Sequence, residues 1–101
     1  AEMVRVVPGE KIAYVTDVRF HDENAQSIAD LARDADLLFI EASFLEEDAD
    51  LAARKSHLTA AQAGRLGRMA GVKKLVPFHF SPRYAGREEE LKREAQEAFG
   101  A

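Results

Sequence analysis

His79-Phe80-Ser81-Pro82-Arg83-Tyr84 follows directly on the apolar run Leu75-Val76-Pro77-Phe78. The run reads as a buried strand. Pro82 cannot extend a sheet ladder, and it biases Ser81 toward an extended backbone, so the chain must turn off the sheet here. A histidine at the end of a buried strand is placed to bind something. Arg83 offers a planar fork of donors suited to a carboxylate or a phosphate. The plain alternative is a neutral histidine satisfied by a backbone carbonyl, with Arg83 in a surface ion pair.

Working back from this strand, residues 60–70 predict a helix that buries Ala63, Leu66 and Ala70. Thr59 and Gln62 form a capping box at its start, and Gly71 is a suitable stop with Val72 behind it. Leu37-Leu38-Phe39-Ile40, bounded by Asp36 and Glu41, is a second short apolar run and predicts another buried strand. Ala25, Ile28, Ala29 and Ala32 recur at helical spacing, so residues 24–34 predict an amphipathic helix. Residues 46–54, rich in Ala, Leu, Glu and Asp, predict a short helix. Residues 3–7 and 11–16 read as strands joined by a Pro8-Gly9 turn, the second ending at Asp17. The last helix covers residues 87–99, burying Leu91, Ala95 and Ala98 or Phe99. Glu88 with Lys92 and Glu89 with Arg93 stand at supporting i,i+4 spacing.

The order β-β-α-β-(α)-α-β-α gives an α/β fold. Strands separated by helices pair in parallel through right-handed crossovers. The apolar strands read as runs rather than alternations, so both their faces should be covered. Parallel strands put their carboxyl ends on one rim, where open α/β sheets bind ligands. Asp17, Glu41 and His79 each end a strand, so two carboxylates and an imidazole should meet there. His57 precedes the Thr59 cap, and an imidazole beside a carboxylate such as Glu41 can hold and give up a proton near neutral pH. His21 reads as a solvent-facing loop residue.

Composition narrows the chemistry. A chain of 101 residues suits one small domain. With 14 Lys+Arg against 18 Asp+Glu the net charge is −4, and no basic block stands out. Holding nucleic acid by charge alone relies on clustered basic residues, so that mode is disfavoured. There is no cysteine, which excludes disulfides and thiolate ligands. Any metal must sit on histidine and carboxylate, a set suited to Zn²⁺ or Mn²⁺. No stretch approaches the ~20 apolar residues of a membrane span, and a soluble cytoplasmic protein is expected. The chain opens straight into a strand pattern, as one cut from a longer chain would.

Tyr14-Val15-Thr16-Asp17, Leu38-Phe39-Ile40-Glu41-Ala42-Ser43-Phe44, His57-Leu58-Thr59-Ala60-Ala61-Gln62-Ala63 and His79-Phe80-Ser81-Pro82-Arg83-Tyr84 occur here in one order. Together they resemble the C-terminal half of ribonuclease Z, the tRNA 3′-processing endonuclease of the metallo-β-lactamase superfamily. The resemblance runs over residues 11–99. It implies the C-terminal half of an αββα sandwich, residues 1–101 forming a single domain. Asp17 would bridge two metal ions and His79 would bind one of them. Glu41 and His57 would form the catalytic pair that stabilises the phosphate or protonates the leaving oxygen. Ser81 and Arg83 would contact the substrate phosphate or support their loop. Two Zn²⁺ ions, or Mn²⁺, about 3.5–4 Å apart would activate a water and clamp the attacked phosphoryl oxygen.

The departures carry weight too. The His-x-His-x-Asp-His motif that supplies most of the family's ligands is absent, as is the arm that grips tRNA. Ser43 stands where the family usually has Thr. The chain is therefore expected to hold half of an active site, the rest coming from an N-terminal half or a second chain. A halved sandwich bares one apolar sheet face, so a homodimer or higher assembly is expected. A tRNA precursor is the substrate the resemblance implies. The alternatives are a non-catalytic dimerising fragment, or a hydrolase of the same fold acting on a small ester.

Overall fold

A computed structural model describes residues 2–7, 10–16 and 22–100. The elements are β1 (Glu2–Val7), β2 (Glu10–Val15), α1 (Asp22–Leu31), β3 (Leu37–Glu41), α2 (Ala49–Arg54), α3 (Ala60–Ala70), β4 (Lys74–Phe78) and α4 (Glu88–Phe99). Short 3₁₀ turns cover Glu46–Asp48 and Pro82–Tyr84. The Pro8-Gly9 turn, Asp17 and His21 lie outside the described residues.

The strands form one sheet in the order β1-β2-β3-β4. β1 is antiparallel to β2, while β2–β3 and β3–β4 are parallel, as the intervening helices require. Pro77 is accommodated because β4 is an edge strand, where a missing N–H breaks no inner ladder.

The register separates two faces. Ala13, Val15, Leu38, Ile40 and Leu75 are buried in one core with residues of α1, α3 and α4. Ile12, Tyr14, Leu37, Phe39, Val76 and Phe78 share the opposite face and stay half-buried. Tyr14 and Phe39 stack there, ring centroids 4.9 Å apart. The strand pattern's expectation that both faces are covered is thus corrected: the sheet is apolar on both sides, but among the described residues the helices bury one, leaving the bared face expected of a halved sandwich.

α3 is the central helix, packed on α1, α4, β3 and β4. Its capping box forms as the sequence implies: Gln62 N–H donates to Thr59 Oγ1 at 3.1 Å, and Thr59 N–H donates to Gln62 Oε1 at 2.9 Å. Gly71 ends it at φ 70°, a left-handed position that glycine adopts without a Cβ clash. Gly64 lets α4 approach: a Cβ there would sit 2.2 Å from Ala95 O.

Other expectations shift. The helix over residues 24–34 runs instead over Asp22–Leu31, and the chain leaves it through a turn with Asp34 at φ 57°. On α4, Lys92 pairs with Glu89 rather than Glu88, and Arg87 pairs with Glu90. Glu88 instead accepts from Gly86 N–H. The 3₁₀ turn at Pro82–Tyr84 is unforeseen, since three residues give too little periodicity to read.

Candidate functional site

The carboxyl ends of β3 and β4 carry Glu41 and the loop starting at His79 to the same rim. Glu41 is fully buried. A buried carboxylate needs partners, and Glu41 has them. Its Oε2 accepts Leu58 N–H at 3.0 Å and lies 2.7 Å from His57 Nδ1. Its Oε1 lies 3.8 Å from His79 Nδ1, outside hydrogen-bond reach but within ion-pair distance. The two imidazoles meet edge to face, centroids 5.9 Å apart. With Nδ1 turned to the carboxylate, Nε2 is the nitrogen each ring has left for a ligand.

Local structure explains why His57 sits there. α2 ends at Arg54, and Ser56 takes φ 59° to turn the chain back. His57 N–H then closes on Ala52 C=O at 2.9 Å. Leu58 C=O accepts Ser43 N–H at 3.2 Å, and Phe44 C=O accepts Ala60 N–H at 2.7 Å, so the segment before α3 is tied to the exit of β3. His57 also lies against Phe44, centroids 6.0 Å apart.

The rim opens into a cleft of about 210 Å³ lined by residues that include Lys55, His57, His79, Phe80, Ser81 and Arg83. Among the described residues no carboxylate lines it, although the chain carries net negative charge. Ser81 Oγ accepts Arg83 N–H at 3.3 Å and starts the 3₁₀ turn. The structure therefore brings together Glu41, His57, His79, Ser81 and Arg83. Asp17 is not among the described residues.

An imidazole nitrogen such as His79 Nε2 suits zinc or manganese. Among the described residues, however, no three His, Cys, Asp or Glu side chains are grouped to hold an ion.

Sequence reasoning missed two neighbours. Lys55 lines the cleft, and its place two residues before His57 was the available signal. Tyr84 closes the quoted hexapeptide and proves to be buried. Its hydroxyl donates to Asp48 and accepts Leu45 N–H at 3.1 Å, joining the two 3₁₀ turns. Burial, and then the Asp48 bond, pushes its pKa above the usual tyrosine value. Glu94 of α4 accepts Glu46 N–H at 2.9 Å, and burial pushes its carboxyl upward.

The chain matches the family described as Beta-lactamase superfamily domain over residues 3–80. It is 53% identical to Ribonuclease Z of Thermobifida fusca over 85 residues, which is 84% of this chain and 25% of that protein. It is 47% identical to Ribonuclease Z of Streptomyces coelicolor over 88 residues, 87% of this chain and 28% of that protein. Among solved structures, the short form of human tRNase Z superposes with TM-score 0.72 at 29% identity, covering 81% of this chain and 31% of that one. The metallo-beta-lactamase fold protein YhfI of Bacillus subtilis superposes with TM-score 0.84 over 99% of this chain and 38% of that one. At 24% identity that likeness speaks for the fold. The chain thus spans little more than a quarter of the length of these curated relatives.

Proposed function

The chain belongs to the beta-lactamase superfamily, and from that premise we propose that it forms the C-terminal part of a metal-dependent phosphodiesterase of the ribonuclease Z type. The observation that carries the reading is the buried Glu41 with His57 and His79 on its two oxygens, opening on a cleft lined by Lys55 and Arg83. A buried carboxylate with two imidazoles is arranged to move a proton, and two cations at the mouth suit a phosphodiester.

In this reading Glu41 orients His57 through Nδ1, and His57 Nε2 delivers a proton to the departing ribose oxygen or holds the phosphate in place. Arg83 and Ser81 position the phosphate. Asp17 and His79 would hold metal ions, zinc or manganese, together with ligands from outside this chain. When bound, such ions supply an activated water and neutralise charge on the attacked phosphoryl group. The 101 residues act as one domain, and precursor tRNA in the cytoplasm is the substrate.

The half-open face carrying Tyr14, Phe39 and Val76 supports a partner layer, from the remainder of the protein or from a second copy of this chain. Light scattering of the isolated chain should show a dimer. A well-behaved monomer that binds no hydrophobic dye would remove the dimer.

The deciding experiment assays the whole protein on a precursor tRNA and on bis-p-nitrophenyl phosphate, with metal analysis alongside. Asp17→Ala and His79→Ala should lose both bound metal and turnover. His57→Ala should keep metal and lower kcat by roughly 10²–10⁴. Full metal-dependent turnover in the Asp17 variant would defeat the assignment, and cleavage of small esters alone would replace RNA as substrate.

A further inference from the structure

His79 is one of three non-glycine described residues in the left-handed region, with φ 63°. That conformation is unfavourable for a residue with a Cβ and persists only where neighbours hold it. The β3–β4 ladder shows what surrounds it. Ala42 N–H still donates to Phe78 C=O at 2.9 Å, and pairing resumes where Ser81 N–H donates to Ser43 C=O at 3.0 Å. Between these bonds His79 and Phe80 make an excursion, with only Ser43 opposite them. An excursion of this kind re-aims a side chain, as β-bulges do beside active sites. It also takes the His79 carbonyl out of the ladder. Ser43 Oγ–H donates to that carbonyl at 2.8 Å. Ser43 is buried, so its hydroxyl needs a partner, and this carbonyl provides one.

We infer that Ser43 is a positioning residue whose hydroxyl holds the His79 peptide in its left-handed conformation and so aims the imidazole at the cleft. Three bonds from one residue reach both flanking loops: N–H to Leu58 C=O, C=O from Ser81 N–H, and Oγ to His79 C=O. The two backbone bonds survive any substitution short of proline. Only the third depends on the side chain, and it is the one that lands on His79. Removing the hydroxyl leaves that carbonyl short of a donor and frees the peptide to rotate toward the extended region. The imidazole would then leave Glu41 Oε1, now 3.8 Å away. Serine and threonine both supply the hydroxyl, and alanine does not.

That His79 works in catalysis rests on the reading above; the hold of Ser43 on its peptide does not. The test therefore has two arms. In the first, NMR on the labelled chain without metal compares wild type with Ser43→Ala and Ser43→Thr. The three-bond HN–Hα coupling and the imidazole nitrogen shifts of His79 are the readout. Ser43→Ala should lose the left-handed signature at His79 while the His57 signals keep their positions, and Ser43→Thr should restore it. In the second, kcat of the whole protein should fall about fivefold to tenfold in Ser43→Ala, the equivalent of one lost hydrogen bond, with KM little changed. If Ser43→Ala does not fold, the wild-type chain decides the matter. A slowly exchanging Ser43 hydroxyl proton with a cross-peak to the Phe80 amide is expected, and a fast-exchanging one overturns the inference. Unchanged His79 signals in Ser43→Ala, or a threonine variant that behaves like alanine, also overturn it. A wild-type protein that hydrolyses no phosphodiester refutes the hydrolase reading and leaves the NMR arm to decide Ser43.

Discussion

His57 Nδ1 stands 2.7 Å from Glu41 Oε2, on a carboxylate with no surface open to water. The same oxygen accepts Leu58 N–H at 3.0 Å, so one carboxylate oxygen ties the imidazole to the backbone of the segment before α3. Nδ1 is thus committed to the carboxylate, and Nε2 is the nitrogen left for a ligand in the cleft that His57 lines. Glu41→Gln keeps the volume and removes the negative charge. The variant should lose about 1–3 kcal/mol of stability, because a buried N–H is left with a poorer acceptor. Its kcat should fall even where it stays folded. Urea unfolding and single-turnover kinetics check both, and a variant with wild-type stability and rate would show the pair to be incidental.

The loci of Glu41, His57, His79, Ser81 and Arg83 could be read in the sequence because each depends on topology. A strand ending in a polar residue must deliver it to the rim, and a capping box fixes where the segment carrying His57 meets α3. The half-open sheet face was implied by the resemblance but not by the strand pattern. Leu37-Leu38-Phe39-Ile40 is apolar at every position, and such a run reads the same whether the second cover comes from this chain or from another. Ser43 and Tyr84 escaped for a different reason. Their roles are bonds across 36 and 39 residues of chain, to His79 C=O and from Leu45 N–H, and no local pattern announces such a bond.

Gly64 sits in the middle of α3, where glycine costs about 1 kcal/mol relative to alanine. Intrinsic propensity alone says that Gly64→Ala should stabilise. The packing says otherwise, since the new Cβ would meet Ala95 O at 2.2 Å and Ala98 Cβ at 2.7 Å. Backbone cannot yield as a side-chain tip can, so the helices must separate. The net effect should be destabilising by roughly 1–3 kcal/mol. A rise in melting temperature would mean that α3 and α4 do not cross this closely in solution.

Asp36 closes the rim opposite the site. Its carboxylate accepts Lys11 N–H at 2.8 Å and pairs with Lys73 Nζ at 2.9 Å, and these two bonds hold its pKa below the ordinary value of 3.8. The unfolded chain therefore takes up the proton first as pH falls. The stability that Asp36 contributes is present above the unfolded pKa and is lost as pH drops through the lower folded value. Asp36→Asn should melt below wild type at neutral pH, and the gap should close on acidification. Asp30 and Glu90 are also lowered and titrate with the same sign, but they are common to both proteins and cancel. A gap that is constant from neutral to acid pH would contradict the assignment.

Tyr84 supplies the opposite sign at the other end of the scale. Its ring is buried, edge-on to Phe44 at 6.1 Å, and its hydroxyl bridges Asp48 and the Leu45 amide. Tyr84→Phe keeps the ring and strands a buried N–H, which should cost about 1–3 kcal/mol. Burial and the Asp48 bond raise the folded pKa above the ordinary tyrosine value of 10.0. As pH climbs past the unfolded value, the unfolded tyrosine ionises first and the folded state loses ground, until the folded value is passed. The phenylalanine variant cannot lose stability by this route. Its deficit against wild type should be full near neutrality and should narrow in alkali, read from denaturant midpoints at a series of pH values. Tyr14 is present in both proteins and drops out of the difference. A deficit that widens in alkali would mean that the Tyr84 hydroxyl is better accommodated ionised than neutral, against the bond it donates to the Asp48 carboxylate.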